Sequence, residues 1–320
     1  MKNLLKAFSA ALLLWGSAQA QPPGTACPPP VLPIAEAPGE QSAAPQDVGL
    51  LWRLQRDGRS SYLYGSMHIG RPAWARPGPA LQKALQEVDV LALELNISDA
   101  HTQADLARSK RADRNALPAK LQSRLDAQVS AACLPAKALA ALHPMLQLST
   151  LTVLAARWDG LDMAYGQELM LSSQAQARGM PIVGLERADD QMQALFPKDR
   201  KSLLRSLDEG LQQLEQNRVR PAVLRLARAW EQGDLGDLQR YEQWCDCVQS
   251  EDDRAWLGRL NDGRNPHLAA GIAALHSKGQ SVLAAVGALH MSGPQALPKL
   301  LSERGFRVEQ IHPPPTTPRR

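Results

Sequence analysis

A chain of 320 residues with 44% hydrophobic and 21% charged residues has a globular make-up, which excludes wholesale disorder. Its 36 basic and 32 acidic residues give a net charge of +4, and no basic run beyond Arg319-Arg320 supports a nucleic-acid surface. No apolar stretch reaches the roughly 18 residues a membrane span needs, so an integral channel or transporter is excluded.

The N-terminus reads as an export signal. Lys2 and Lys6 supply the positive region, Ala7 to Trp15 a short apolar core, and Ala18-Gln19-Ala20 the small residues of a cleavage site after Ala20. Residues 1–20 are therefore expected to be removed, leaving a periplasmic or secreted protein that begins at Gln21. Residues 21–47 form a proline-rich leader without apolar periodicity. Folded structure is expected over 48–312, with 313–320 as a tail.

Leu51 to Gln55 and Ser61 to Tyr64 read as two strands around Asp57-Gly58, a strong hairpin signal. Pro79 to Glu87 has helical spacing, and Val88 to Leu95 is a near-continuous apolar run, the pattern of a strand covered on both faces. The middle of the chain is helical, over Ala116–Ala127, Ala136–Trp158, Asp162–Arg178, Asp199–Glu215 and Arg220–Gln232. Ile182 to Glu186 interrupts it as a buried strand. A helix over Pro266–Lys278, a strand over Ser281–Val286, a helix over Pro294–Arg304 and a strand over Phe306–Ile311 complete the pattern. Short apolar strands separated by helices predict an α/β fold: a mixed β-sheet flanked by helices, with a large helical insertion.

Four cysteines, Cys27, Cys133, Cys245 and Cys247, are an even number in an exported chain and predict structural disulfides. Pairing Cys245 with Cys247 closes a very tight ring. The expectation is therefore two long-range bridges, in which Cys245 and Cys247 each take one of Cys27 and Cys133. A zinc site would need a second ligand pair, which a lone Cys-Asp-Cys lacks.

One weak internal repeat stands out. Tyr64-Gly65-Ser66-Met67-His68-Ile69-Gly70 is similar to Val286-Gly287-Ala288-Leu289-His290-Met291-Ser292-Gly293, each a strand followed by Gly-x-x-His. Each histidine falls just past a strand end, where open α/β sheets collect ligands. Glu94 and Glu186 end two other apolar strands, and a buried carboxylate needs a partner. The order His68, Glu94, Glu186, His290 predicts four side chains converging on one sheet edge. Two imidazoles with one or two carboxylates suit a divalent transition metal such as Zn, Mn, Co or Fe. The other histidines, at 101, 143, 267, 276 and 312, read as surface or structural. Ser66 reads as a loop hydroxyl bonded to backbone, and the scattered tryptophans as core and rim.

These segments, with Leu91-Ala92-Leu93-Glu94, Gly160-Leu161-Asp162, Pro181 to Glu186 followed by Gln191, and Arg264-Asn265, resemble the TraB/GumN family, which includes the Tiki-type metalloproteases. The resemblance spans about residues 48–312. It implies an α/β fold with the paired Gly-x-x-His motifs in one cleft. In Tiki-type members, metal-dependent peptidases, those histidines and a glutamate are needed. Carried over, it nominates His68, His290 and Glu94 as metal ligands, with Glu94 and Glu186 as the catalytic acids. Arg264 would bind a substrate carboxylate or stabilise an oxyanion, and Asp162 would orient a histidine from behind. Arg187 departs from the small hydroxyl residue expected after the glutamate. The implied function is an exported metal-dependent hydrolase that acts on a peptide or small-molecule substrate. The rival reading is a non-catalytic periplasmic protein that uses the histidine pair to bind haem, metal or a small ligand.

Overall fold

The structure, a computed structural model, describes residues 27–29, 44–109 and 116–313. The expected signal segment, most of the leader and the tail beyond Pro313 lie outside these residues. Strand β1 (Leu50–Arg56) and strand β2 (Arg59–Ser66) form the expected hairpin, with Asp57 and Gly58 both at positive φ. Asp-Gly suits a turn of that hand because neither residue is β-branched and glycine has no Cβ at all. Helix α1 (Pro79–Gln86) leads to strand β3 (Val90–Leu93), buried along its whole length as its apolar run requires.

The insertion follows: α2 (Ala100–Ser109), α3 (Ala119–Ala131), α4 (Pro144–Ala155), α5 (Gln167–Ala177), strand β4 (Ile182–Gly184), α6 (Ala188–Leu195), α7 (Arg200–Glu215), α8 (Val219–Glu231), α9 (Leu235–Gln239), α10 (Tyr241–Trp244), α11 (Glu251–Leu260) and α12 (Asn265–Ser277). Strand β5 (Val282–Gly287), α13 (Leu297–Glu303) and strand β6 (Arg307–His312) close the fold. The sheet runs β4-β3-β5-β2-β1-β6. Strands β4, β3, β5 and β2 are mutually parallel, and β1 is antiparallel to both β2 and β6. The sheet is mixed and flanked by helices, as expected.

Leucines four apart give the insertion its own small core. Leu121 and Leu125 on α3 and Leu203, Leu207 and Leu211 on α7 meet Leu148 and Leu151 of α4. Each buried leucine is worth about 1.5–3 kcal/mol relative to an exposed one. The helix expected from Ala136 starts only at Pro144, because a proline is accommodated at the first helical turn and not in the interior. The helix expected from Asp162 starts at Gln167, after a single 3-10 turn over Met163–Tyr165 that Asp162 caps. Among the described residues no helix is long and apolar enough to cross a membrane.

The cysteine pairing corrects the sequence expectation. Cys27 bridges Cys133, and Cys245 bridges Cys247. The tight ring closes because Asp246 between them adopts φ 55°, in the left-handed region that few non-glycine residues enter. The Cys27–Cys133 bridge closes a separation of 106 residues, which constrains the unfolded chain by about 4–5 kcal/mol in the loop-entropy account.

Candidate functional site

The four parallel strands deliver the nominated side chains to one edge. Register aligns Leu93 with both Gly184 and Ala285, and Ser66 with Gly287. The residues just past these positions are Glu94, Glu186, His290 and His68. A cleft of about 250 Å³ opens there, lined by Ser66, His68, Glu94, Arg264, Gly287 and His290 with Leu226, Trp230, Leu260 and Leu289 as apolar wall. Trp230 is fully buried behind it and donates its indole N–H to the Gly65 carbonyl at 2.7 Å.

Arg264, at the start of α12, is the hub. Its Nε donates to Glu186 Oε1 at 2.9 Å, and its Nη2 donates to Glu186 Oε2 and to Glu94 Oε2. Its Nη1 donates to the Leu260 carbonyl at 3.0 Å and reaches His290 Nε2 at 3.3 Å. A guanidinium has five N–H donors, and these contacts use them all. In this arrangement a substrate carboxylate would reach Arg264 only by displacing one of these partners. Glu186 is its counter-ion.

Glu94 is buried, and its Oε1 accepts the Gly287 N–H at 2.8 Å while Gln191 Nε2 reaches Oε2 at 3.0 Å. Burial pushes its carboxyl up, but the facing His290, Arg264 and His68 and the Gly287 N–H outweigh it and hold the group down at about 2. Glu94 is an anion across the working pH range.

The two motif histidines sit in opposite surroundings. His290 is 3% exposed. Its Nδ1 lies 2.5 Å from Asn265 Oδ1, while Asn265 Nδ2 donates to the His290 carbonyl at 3.2 Å and the Gln295 carbonyl at 2.8 Å. Two carbonyl partners fix the amide nitrogen, so Oδ1 must face the ring and accept from Nδ1–H. That leaves the lone pair on Nε2, towards Arg264. Burial lowers the His290 pKa to about 4; Glu94 opposes the shift and Arg264 adds to it.

His68 has a side chain that is 67% exposed, with Nδ1 3.1 Å from Glu168 Oε1. The Glu168 charge raises the His68 pKa to about 9, against an opposing desolvation. Burial pushes the Glu168 carboxyl up, but the His68 charge and the hydrogen bonds from His68 and Ser66 outweigh it and set it below the ordinary value. Ser66 Oγ donates to the same Oε1 at 2.5 Å, rather than to backbone as expected.

Sequence reasoning missed Glu168, which does what Asp162 was expected to do. Asp162 instead pairs with Arg157 Nε at 3.0 Å, caps Ala164 N at 2.9 Å and bridges Gly70 through backbone. Two glycines let this segment lie on the first motif. A Cβ on Gly70 would collide with the Tyr165 carbonyl, and one on Gly166 with the His68 carbonyl. That close approach puts Glu168, in the first turn of α5, within reach of His68 Nδ1. An acidic residue in a first helical turn is ordinary dipole complementation, so nothing local in the sequence marked it.

His68, His290 and Glu94, the expected metal ligands, line the same cleft. Nδ1 of His68 bonds Glu168 and Nδ1 of His290 bonds Asn265, the kind of outer partner that orients a metal-binding imidazole, while in this arrangement Arg264 meets both Glu94 Oε2 and His290 Nε2. Among the described residues no group of three or more His, Cys, Asp or Glu side chains is placed to hold a metal. Arg264 is the cation that the two buried carboxylates hold.

No curated protein and no solved structure gives a significant match to the chain. The sequence model of the TraB/PrgY/gumN family matches residues 50–310, most of the chain and the whole of the sheet that carries this cleft apart from its last two residues, and the chain belongs to that family.

Proposed function

We propose that the cleft is the active site of a hydrolase in which the two motif histidines divide the proton work. The observation that carries this reading is that one cleft holds one histidine on a carboxylate and the other on a clamped amide. Titratable groups pushed apart by their surroundings are the usual mark of an acid–base pair. His68, charged at neutral pH, serves as the acid that protonates the leaving group from its exposed ring edge. His290, neutral with its lone pair on Nε2, serves as the acceptor that orients and deprotonates the attacking water. Its present bond to Arg264, at 3.3 Å, is long and gives way to a water without uncovering the carboxylates. Arg264 and Glu94 keep the charge around that water fixed, so little reorganisation accompanies the reaction.

A peptide bond as substrate and a divalent metal as cofactor rest on the family resemblance. Such an ion would be held by His68, His290 and Glu94 and would supply activation of the attacking water. Export is supported by the long-range Cys27–Cys133 bridge, of a kind that persists in an oxidising compartment.

The test is hydrolysis of a defined peptide mixture by the full mature chain, with and without chelator, beside metal content by mass spectrometry. The reading predicts turnover that survives chelation and is bell-shaped between about pH 4 and about pH 9. It predicts a loss of about 10²–10⁴-fold in His68→Ala and in His290→Ala. Stoichiometric metal that both variants lose, with activity lost on chelation, would replace it with the metal-dependent reading. Ligand binding without turnover under any condition would replace it with a binding protein.

A further inference from the structure

The Cys245–Cys247 bridge lies outside the cleft and has no architectural role of the kind Cys27–Cys133 has. It spans a separation of 2 residues against 106, so it removes little freedom from the unfolded chain. It also holds Asp246 at φ 55°. That turn is pinned from outside the ring. Arg218 pairs with the Asp246 carboxylate, Gln249 Nε2 donates to Asp246 Oδ1 at 2.7 Å, and Gln213 Nε2 donates to the Asp246 carbonyl at 2.8 Å. Opening the sulfur–sulfur bond therefore leaves the two thiols side by side. The sulfurs are also unequal. Cys245 is buried and its Sγ accepts the Cys247 N–H at 3.1 Å, whereas Cys247 is half-buried.

From this we infer that Cys245–Cys247 is a thiol–disulfide exchange site that cycles between disulfide and dithiol in the folded protein, with a small thiol or a dithiol protein as its redox partner. The accessible sulfur of Cys247 is the one attacked. An incoming thiolate forms a mixed disulfide with Cys247 Sγ as the Cys245–Cys247 bond breaks, and the electron pair leaves on Cys245 Sγ. The Cys247 N–H already points at that sulfur and stabilises the departing thiolate. A second thiol then displaces the mixed disulfide. The two thiols of the partner are oxidised to one disulfide, and the site gains two electrons and two protons.

The test equilibrates the full chain, without denaturant, in glutathione buffers of graded ratio. Acid quenching, alkylation and peptide mapping then read each bridge. The expected result is alkylated Cys245 and Cys247 at a glutathione ratio at least tenfold more oxidising than the one that opens Cys27–Cys133. Circular dichroism should stay unchanged, and reoxidation should regenerate the bridge. Cys245→Ser should trap glutathione on Cys247 in stoichiometric amount, and Cys247→Ser should leave Cys245 mostly unmodified. The double Cys245→Ser/Cys247→Ser variant should keep the wild-type melting temperature within a few degrees. Bridges that open together, opening only in denaturant, equal trapping at the two cysteines, or a double variant that fails to fold would each show the bridge to be structural and overturn the inference.

Discussion

The two Gly-x-x-His segments start from the same local sequence and end in opposite chemical states. Both follow a parallel strand, and both put histidine three residues past a glycine at the same sheet edge. What differs is the partner supplied from elsewhere in the chain. The insertion brings Glu168 to His68 Nδ1, while α12 brings Asn265 and Arg264 against His290. A carboxylate stabilises the charged ring, whereas burial against a neutral amide and a guanidinium stabilises the uncharged one. The motif therefore fixes where an imidazole stands, and the partner fixes what it can do there.

The comparison breaks most severely at the hub. Arg264→Ala leaves Glu94 and Glu186 buried without their cation, and removing one partner of such a pair costs about 3–5 kcal/mol. Chemical denaturation should show that loss, with Arg264→Lys recovering only part of it, since an ammonium cannot make the forked contact with Glu186. A loss under about 1 kcal/mol would mean that the carboxylates find water or other partners.

Glu168→Gln addresses the first half alone. It removes the charge that holds His68 near 9, so the alkaline limit of activity should fall towards the ordinary histidine value of 6.5 while the acidic limit stays in place. The stability profile should change with it. A raised histidine pKa contributes stability that is complete below about 6.5 and fades as pH rises through about 9; the variant should lose that slope. His290 works in the opposite direction. Its depressed pKa contributes stability above about 6.5 that is lost as pH falls through about 4, and Glu168→Gln should leave that arm alone.

Asn265→Leu addresses the second half with a smaller effect. It leaves the buried Nδ1–H of His290 and the carbonyls of His290 and Gln295 without their amide, at about 1–3 kcal/mol. Ring-nitrogen NMR should then show His290 no longer confined to the Nδ1–H tautomer. An unchanged tautomer would assign that selection to Arg264.

Much of this site was legible in the sequence because strands covered on both faces leave continuous apolar runs. The runs before Glu94 and Gly287 are the buried strands they read as. The strand before Glu186, expected to be buried, lies at the sheet edge and is only half-covered. The strand ends still announced the convergence of His68, His290, Glu94 and Glu186. The surrounding contacts were not legible. Glu168 looks like any acidic residue opening a helix, and its role depends on Gly70 and Gly166 admitting a close backbone approach. The saturation of Arg264 depends on two glutamates meeting across β3 and β4. Helix α11 has only Leu257 buried, so apolar spacing could not reveal it. The cysteine pairing turned on Asp246 accepting a left-handed φ that its residue type disfavours without forbidding.

The division of labour between the histidines can be read without any substrate. Ring-nitrogen NMR of the full chain, titrated from pH 3 to pH 10 and assigned with His68→Ala and His290→Ala, reports the protonation state and tautomer of each imidazole. The account predicts that at pH 7 His68 carries both protons and titrates near 9, while His290 is the neutral Nδ1–H tautomer and titrates near 4. Two histidines that titrate together near the ordinary 6.5 would contradict it, whatever the activity assays show.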